Sequence, residues 1–315
     1  MKLQQLRYVL AVFRHENHMS AAAEALHVSQ PGVSQQIQLL EDELGFEIFI
    51  RKRNRILGIT EPGKHVISVA QRILSDAEGL RNYGEEIAAH GRGSLTIATT
   101  HTQARYMLPK KIEKFVALYP KVRLALLQAN PVQVCELVES GDADIGIGSQ
   151  TNRQFPNLVK LPCAQLPRSV IAKAGHPILR TKKRLTLQEI AKYPIITYDP
   201  SYSGRWKVLD AFQKADIKPN VVLGALDADV SKTYVDLGLG IAILASISFN
   251  ASQDKGLRAK DASHLFEPST IFVVMRRNSY LREFVYEFIK LLSPELTPDF
   301  VKGTLTESSE SKSGR

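Results

Sequence analysis

At 315 residues and 44% apolar composition, the chain is long enough for two or three packed units, and its composition excludes a largely disordered protein. Its apolar runs are too short for a membrane span. Its two cysteines, Cys135 and Cys163, are too few and too far apart for a disulfide framework, so a soluble protein of a reducing cytoplasm is expected. The formal charge of +9 suggests a polyanionic partner, but residues 1–90 carry 10 Lys+Arg against 11 Asp+Glu, while residues 91–315 carry 31 against 21. Any claim of nucleic-acid binding by the N-terminal part must therefore rest on local patterning.

In the first segment Leu3, Leu6, Val9, Leu10 and Phe13 recur at helical spacing among Gln, Arg and Tyr, with no small-residue cleavage site. It reads as a helix over 3–14, not as an export signal. An alanine-rich helix follows over 19–26, then a turn at His27-Val28. A third helix starts at Ser29, a good N-cap, with Pro31 in the first turn and Gly45 placed to close it. Val33, Ile37, Leu40 and Leu44 form its apolar stripe, leaving Pro31, Ser34, Gln35 and Gln38 on the other face. Residues 47–59 read as two short strands around a basic tip containing Arg51, Lys52, Arg53 and Arg55. A long helix then runs to about residue 89. Its heptad spacing of Val66, Ile73, Leu80 and Ile87, alternating with Ala70, Ala77 and Gly84, predicts a seam for pairing two helices.

Helix, alanine-rich helix, tight turn, polar-faced helix and basic hairpin, in that order, predict a winged helix-turn-helix. Such a domain needs short polar side chains on one helix face to reach base edges, backed by an apolar stripe, and cations to reach phosphates. Ser29, Gln30, Pro31, Ser34, Gln35 and Gln38 on the helix, with Arg51 and Arg53 on the wing, are the candidate contacts to double-stranded DNA. Glutamine at 35 and 38 favours adenine edges.

Beyond a hinge at 90–93, strand candidates at 95–98, 122–127, 144–148, 169–172, 195–198, 221–224, 241–245 and 270–275 alternate with helical stretches. Those stretches lie at about 109–118, 131–140, 186–192, 204–215, 228–237 and 279–292. This predicts α/β architecture with largely parallel sheets, and a flexible tail over 293–315. Thr99-Thr-His-Thr-Gln-Ala-Arg-Tyr106 follows the first of these strands; its hydroxyls, amide and free N–H groups would form a neutral cradle for an anion. Ser149 and Ser203-Gly-Arg205 follow other strands and are expected at the same cleft. His101 reads as a solvated loop residue, and Asp227 and Asp229 as acidic groups at a helix start. Cys135 is assigned to a helix core and Cys163 to a loop at a crossover.

The stretch AAAEALHVSQPGVSQQIQLLEDELGFEIFIRKRNRILGITEPG resembles the N-terminal signature of LysR-type transcriptional regulators. ITEPGK followed by LTIATTHTQARYMLP resembles the CysB branch, whose members regulate sulfur assimilation and cysteine biosynthesis. The resemblance covers about residues 1–292. It implies a winged helix-turn-helix (1–59), a linker and dimerisation helix (60–89), a hinge (90–93) and an α/β effector domain like that of periplasmic binding proteins (94–292). Its subdomains would be 94–162 plus 268–292, and 163–267. It further implies an effector of the acetylserine, sulfate or thiosulfate type contacted by Thr100, Thr102, Gln103, Ser149 and Ser203. A homotetramer on an inverted-repeat operator and contact with RNA polymerase are also implied. The chain departs from that branch at Gln35 and Gln38, where basic residues are common, and at Leu166, where an aromatic residue is common.

No cofactor or metal is expected. The histidines lack ligand spacing, and no nucleophile–base pairing or phosphate-binding glycine loop argues for an enzyme. A sulfate-type solute-binding protein would share the C-terminal architecture but has no use for the first 90 residues.

Overall fold

The structure is a computed structural model and describes residues 1–52, 55–88 and 93–306. The chain forms two compact units, residues 1–85 and 86–315.

The first unit holds α1 (Leu3–Arg14), α2 (Met19–Ala25) and α3 (Gln30–Leu44), then a hairpin of β1 (Phe49–Lys52) and β2 (Arg55–Ile59), and the start of α4 (Glu61–Ala88). The local signals act as expected in α3. Ser29 Oγ accepts from Gly32 N at 3.3 Å, Pro31 lies in the first turn, and Gly45 at φ 78° closes the helix. His27 takes φ 54° in the turn between α2 and α3, a conformation more accessible to His than to bulkier residues. Leu6, Val9 and Leu10, Ala22 and Ala23, Val33, Ile37 and Leu40, and Ile48 and Phe49 form one core. Gly63 is obligatory, since a Cβ there would lie 2.1 Å from the Ile48 carbonyl oxygen. α4 corrects the expectation of a seam along its whole length. Ile67 and Ala70 are buried in the domain's own core, with Val66, Ile73 and Leu74 packed against it. Only farther along do Leu80 (73% exposed) and Tyr83 (49%) stand free of that core; Ile87 lies outside the described side chains.

The second unit contains two five-stranded sheets. β3 (Gly93–Thr99), α5 (Pro109–Leu118), β4 (Val122–Gln128), α6 (Pro131–Ser140), β5 (Ile145–Ser149) and β6 (Leu158–Leu166) build most of the first lobe. The chain then crosses at Pro167 into the second lobe. There it forms β7 (Arg168–Lys173), α7 (Leu187–Ala191), β8 (Ile195–Tyr198), α8 (Ser203–Lys214), β9 (Val221–Ala225), α9 (Ala228–Asp236), β10 (Ile241–Ala245) and β11 (Leu257–Asp261). It returns through β12 (Ser269–Arg276), α10 (Glu283–Leu292) and α11 (Pro298–Thr306). The strand orders are β4-β3-β5-β12-β6 and β11-β7-β10-β8-β9.

The sheets are mixed, which corrects the expectation of largely parallel ones. β3, β4 and β5 are parallel, as are β8, β9 and β10, because helices carry the chain back between them. β12 arrives directly from the other lobe and pairs antiparallel with both β5 and β6, and β7 pairs antiparallel with β10 and β11.

Two strands escaped the sequence reading, β6 and β11. Pro162 argues against a strand, but β6 is an edge strand, and its pairing with β12 shifts register beside Pro162. Cys163 therefore belongs to this strand and not to a loop. It packs against the first lobe's core, and burial pushes its thiol up to about 12, which makes it a poor nucleophile at neutral pH. The tail is also corrected. Residues 298–306 form α11, whose Val301 and Leu305 are buried in the core with Phe288 and Leu292. Among the described residues, no helix is long and apolar enough to cross a membrane.

Candidate DNA-reading surface and effector pocket

α3 buries Val33, Ile37 and Leu40 against α1 and α2, so its other face is turned outward with Gln35 and Gln38 exposed. Gln30, Pro31, Ser34, Gln35 and Gln38 line one concave surface with Ser20 of α2 and with Arg51 and Arg55 of the wing. Ser29 is the exposed N-cap at its edge. Arg53 lies outside the described residues.

Arg51 is more than a free wing charge. Its Nη2 donates to Glu41 Oε2 at 2.7 Å, and Glu41 Oε1 accepts from Ile48 N at 2.8 Å and Phe49 N at 3.2 Å. Glu41 is buried within α3, so this carboxylate fixes the base of the wing to the reading helix. Arg55, exposed on β2, is the freer cation.

In the second unit the strand ends converge on a small cavity between the two sheets. It is lined by Thr100, Thr102, Gln103 and Ser149 from the first lobe, Leu166, Arg168, Ser269 and Ile271 at the crossings, and Tyr198, Tyr202, Gly204 and Ala245 from the second. Thr100 Oγ1 donates to Gln103 Oε1, which positions the first turn after β3. That turn is a π-helical segment over Gln103–Met107. Ser203 does not line the cavity with its side chain. It begins α8 with a buried Oγ that lacks a partner among the described residues, and its neighbours Tyr202 and Gly204 reach the cavity. Tyr202, the residue before α8, supplies no side-chain cap, so the positive end of this 12-residue helix is available to a ligand.

Sequence reasoning missed Arg168, which corrects the expectation of a neutral cradle. Its side chain is 1% exposed; Nη2 donates to Ser269 Oγ at 2.5 Å, while Nε has no partner among the described residues. Burial lowers its pKa from the ordinary value, yet a guanidinium stays charged. Gly204 makes room for it. A Cβ there would lie 2.9 Å from Tyr198 Cδ2 and 3.1 Å from Arg168 Nη2. A lone arginine opening a strand carries no sequence signal of this kind. Burial also holds the phenols neutral, with Tyr202 pushed up to about 12 and Tyr198 raised as well.

A second cluster closes one side of the cleft. Tyr106 OH donates to Asp229 Oδ1 at 2.6 Å, and Lys232 Nζ donates to Tyr106 OH at 2.9 Å, Asp254 Oδ1 at 2.9 Å and the Ser248 carbonyl at 3.0 Å. Arg105 Nε and His101 Nε2 lie 2.9 and 3.4 Å from Asp229 Oδ2. This polar latch ties the first lobe to α9, so His101 belongs to it and is not a solvated loop residue. Burial alone would push the Asp229 carboxyl up, but the hydrogen bonds from Tyr106 and Lys232 and the charges of Lys232 and Arg105 outweigh it and hold the carboxyl below its ordinary value. Asp227 does act as a helix cap, accepting from Val230 N at 2.8 Å. Ligand atoms of His101, Asp227 and Asp229 come within 4.8 Å of one another, but with Asp227 capping α9 and Asp229 paired to two cations, the trio is accounted for by the latch.

A DNA-reading winged helix joined to a two-lobed binding domain defines a ligand-responsive transcription regulator. Residues 3–64 match the bacterial regulatory helix-turn-helix proteins of the lysR family, and residues 88–297 match the LysR substrate binding domain. The chain belongs to the LysR family. It is 45% identical over 308 residues to the HTH-type transcriptional regulator SsuR of Burkholderia cenocepacia, covering 98% of this chain and 100% of that one. It is 44% identical over 311 residues to the regulator CysB of the same organism, covering 99% of each. The crystal structure of the cofactor-binding domain of the Cbl transcriptional regulator superposes with a TM-score of 0.66 at 39% identity, covering 69% of this chain and 95% of that one. These relatives are transcription regulators and not enzymes.

Proposed function

We propose that this LysR-family regulator controls genes of sulfur assimilation and cysteine biosynthesis, and that a small oxyanion of the sulfate or thiosulfate type, or an acetylserine, binds between its lobes. The observation that carries this reading is the buried, partly unpartnered guanidinium of Arg168. It stands among the hydroxyls of Thr100, Thr102, Ser149 and Ser269 and beside the uncapped start of α8. A buried charge without a full set of partners is costly, and an oxyanion would supply both charge and acceptors. The kinship to CysB and SsuR supports the sulfur assignment. Leu166, Ala245 and Ile271 give the cavity an apolar wall, which favours, as a second reading, an oxyanion with a short organic tail such as a sulfonate.

In this reading Ser29, Gln30, Pro31, Ser34, Gln35 and Gln38 face the major groove, and Arg51 and Arg53 lie against the backbone or the adjacent minor groove. The exposed end of α4, with Leu80 and Tyr83, would pair with a second copy within a tetramer on an inverted repeat. Effector binding shifts the balance of quaternary states and thereby contact with RNA polymerase.

Calorimetry of the full chain with sulfate, thiosulfate, O-acetylserine and methanesulfonate tests the pocket. At least one should bind, and Thr102→Leu should abolish that binding while leaving operator affinity intact. Equal binding by the variant would place the effector elsewhere.

A further inference from the structure

The positive charge of this protein does not reside where DNA is read. Residues 1–90 have no surplus of Lys and Arg over Asp and Glu, whereas residues 173–192 contain six Lys and Arg and one acidic residue, Glu189. Glu189 is occupied in the Thr186 cap, accepting from Thr186 N at 2.9 Å. Four of the cations, Arg180, Lys182, Lys183 and Arg184, fall within five residues and are all exposed.

This loop is held firmly in place. Lys260, on the edge strand β11, donates its Nζ to the Thr181 carbonyl and, at 3.5 Å, to that of Ile178. His264 Nε2 donates to the Leu185 carbonyl at 2.9 Å, and Lys183 N donates to Thr181 Oγ1 at 3.3 Å. Ile178 and Leu185 anchor the two ends in the second lobe's core, at 4% and 1% exposure. Four like charges on one short loop repel one another and would favour a spread-out, mobile segment. Here a fifth cation and a histidine are used to pin the loop's carbonyls. A fixed cluster of cations, in a stretch with no acidic residue from 173 to 188, suits a polyanion.

We propose that loop 180–184 is a second DNA contact, which grips backbone phosphates outside the bases read by α3. The inference rests on α3 reading the operator. DNA is favoured over an acidic protein because DNA affinity depends largely on phosphate neutralisation, and the reading domain brings no net charge to it.

The test uses the full-length protein, with Arg180, Lys182, Lys183 and Arg184 all replaced by Gln. Gel-shift titrations across a range of salt concentrations would use operator fragments trimmed to the recognition sequence or extended by flanking DNA. Each lost phosphate contact removes roughly 0.9 from the slope of log affinity against log salt. The variant should therefore bind the extended fragment with a slope shallower by up to about 3.6, lose affinity for it at least tenfold, and match wild type on the trimmed one. A slope and affinity on the extended fragment equal to wild type would overturn the proposal. Unchanged DNA binding with lost promoter activation would overturn it in favour of an acidic protein partner. Gln35→Ala serves as the control for the underlying reading. It should relax sequence discrimination while keeping the salt slope; if discrimination were unaffected, the reading of α3 would fail, and the loop result would stand as a non-specific contact.

Discussion

The two functional surfaces handle charge in opposite ways. On the reading face of α3, Gln30, Ser34, Gln35 and Gln38 are neutral, and Arg51, one of the cations beside them, is bound to the buried Glu41. In the candidate effector pocket a cation is taken out of water altogether, with Arg168 at 1% exposure and one nitrogen without a partner among the described residues. Under the proposed function, the contrast follows from the ligands. Base edges are distinguished by hydrogen-bond geometry, and glutamine amides can match adenine edges without bringing charge to the helix. A small oxyanion offers little shape, and a desolvated guanidinium recognises it strongly.

Three experiments can break or sharpen this contrast. The largest effect is expected from Arg168→Met, which keeps the volume and removes the charge. Oxyanion affinity should fall at least 100-fold by calorimetry, about 3 kcal/mol, while the domain stays folded. Retained affinity would mean that the hydroxyls and the start of α8 suffice. Next, Arg51→Ala should destabilise the N-terminal unit by about 2 kcal/mol in urea unfolding, because Glu41 is left buried without its cation. Arg55→Ala should leave stability unchanged and weaken operator binding with a shallower salt dependence. If Arg51→Ala unfolded like wild type, its pairing with Glu41 would be incidental.

The smallest effect concerns the latch. Asp229 has a folded pKa below its unfolded one, so its contribution to stability is present above the ordinary carboxylate pKa and is lost as pH falls through the folded value. The thermal midpoint should drop on acidification below about pH 4, and Asp229→Asn should lower the midpoint at pH 7 by a few degrees and flatten that drop. An unaltered acid profile in the variant would assign the acid sensitivity to other carboxylates.

What the sequence revealed and what it hid divide along the range of the interactions. The Ser29 cap, Pro31, Gly45 and the stripe Val33-Ile37-Leu40 are local signals, and α3 follows them closely; α5 and α6 begin at Pro109 and Pro131, where proline suits a first turn. The family motif made Thr100, Thr102, Gln103, Ser149 and Ser203 legible as a group, and all of these but Ser203 line one cavity. Arg168 was not, since its burial depends on Ser269, 101 residues away, and on the missing side chain of Gly204. The latch joins Tyr106 to Asp229 across 123 residues, and no spacing rule reaches so far. β6 was hidden because Pro162 is tolerable only once β6 is known to be an edge strand.

The position of β12 has a consequence for how this protein is made. It lies between β5 and β6, so the first lobe's sheet cannot close until residue 276 has left the ribosome, and its core lacks Val301 and Leu305 until later still. The second lobe is continuous in sequence and has all its strands by residue 261. At a typical rate, the roughly 120 residues between β5 and β12 take on the order of ten seconds to synthesise. During that interval β5, with its run of buried residues, presents an unpaired strand edge in the nascent chain, and β6 lacks its strand partner, so both are candidates for protection by a chaperone.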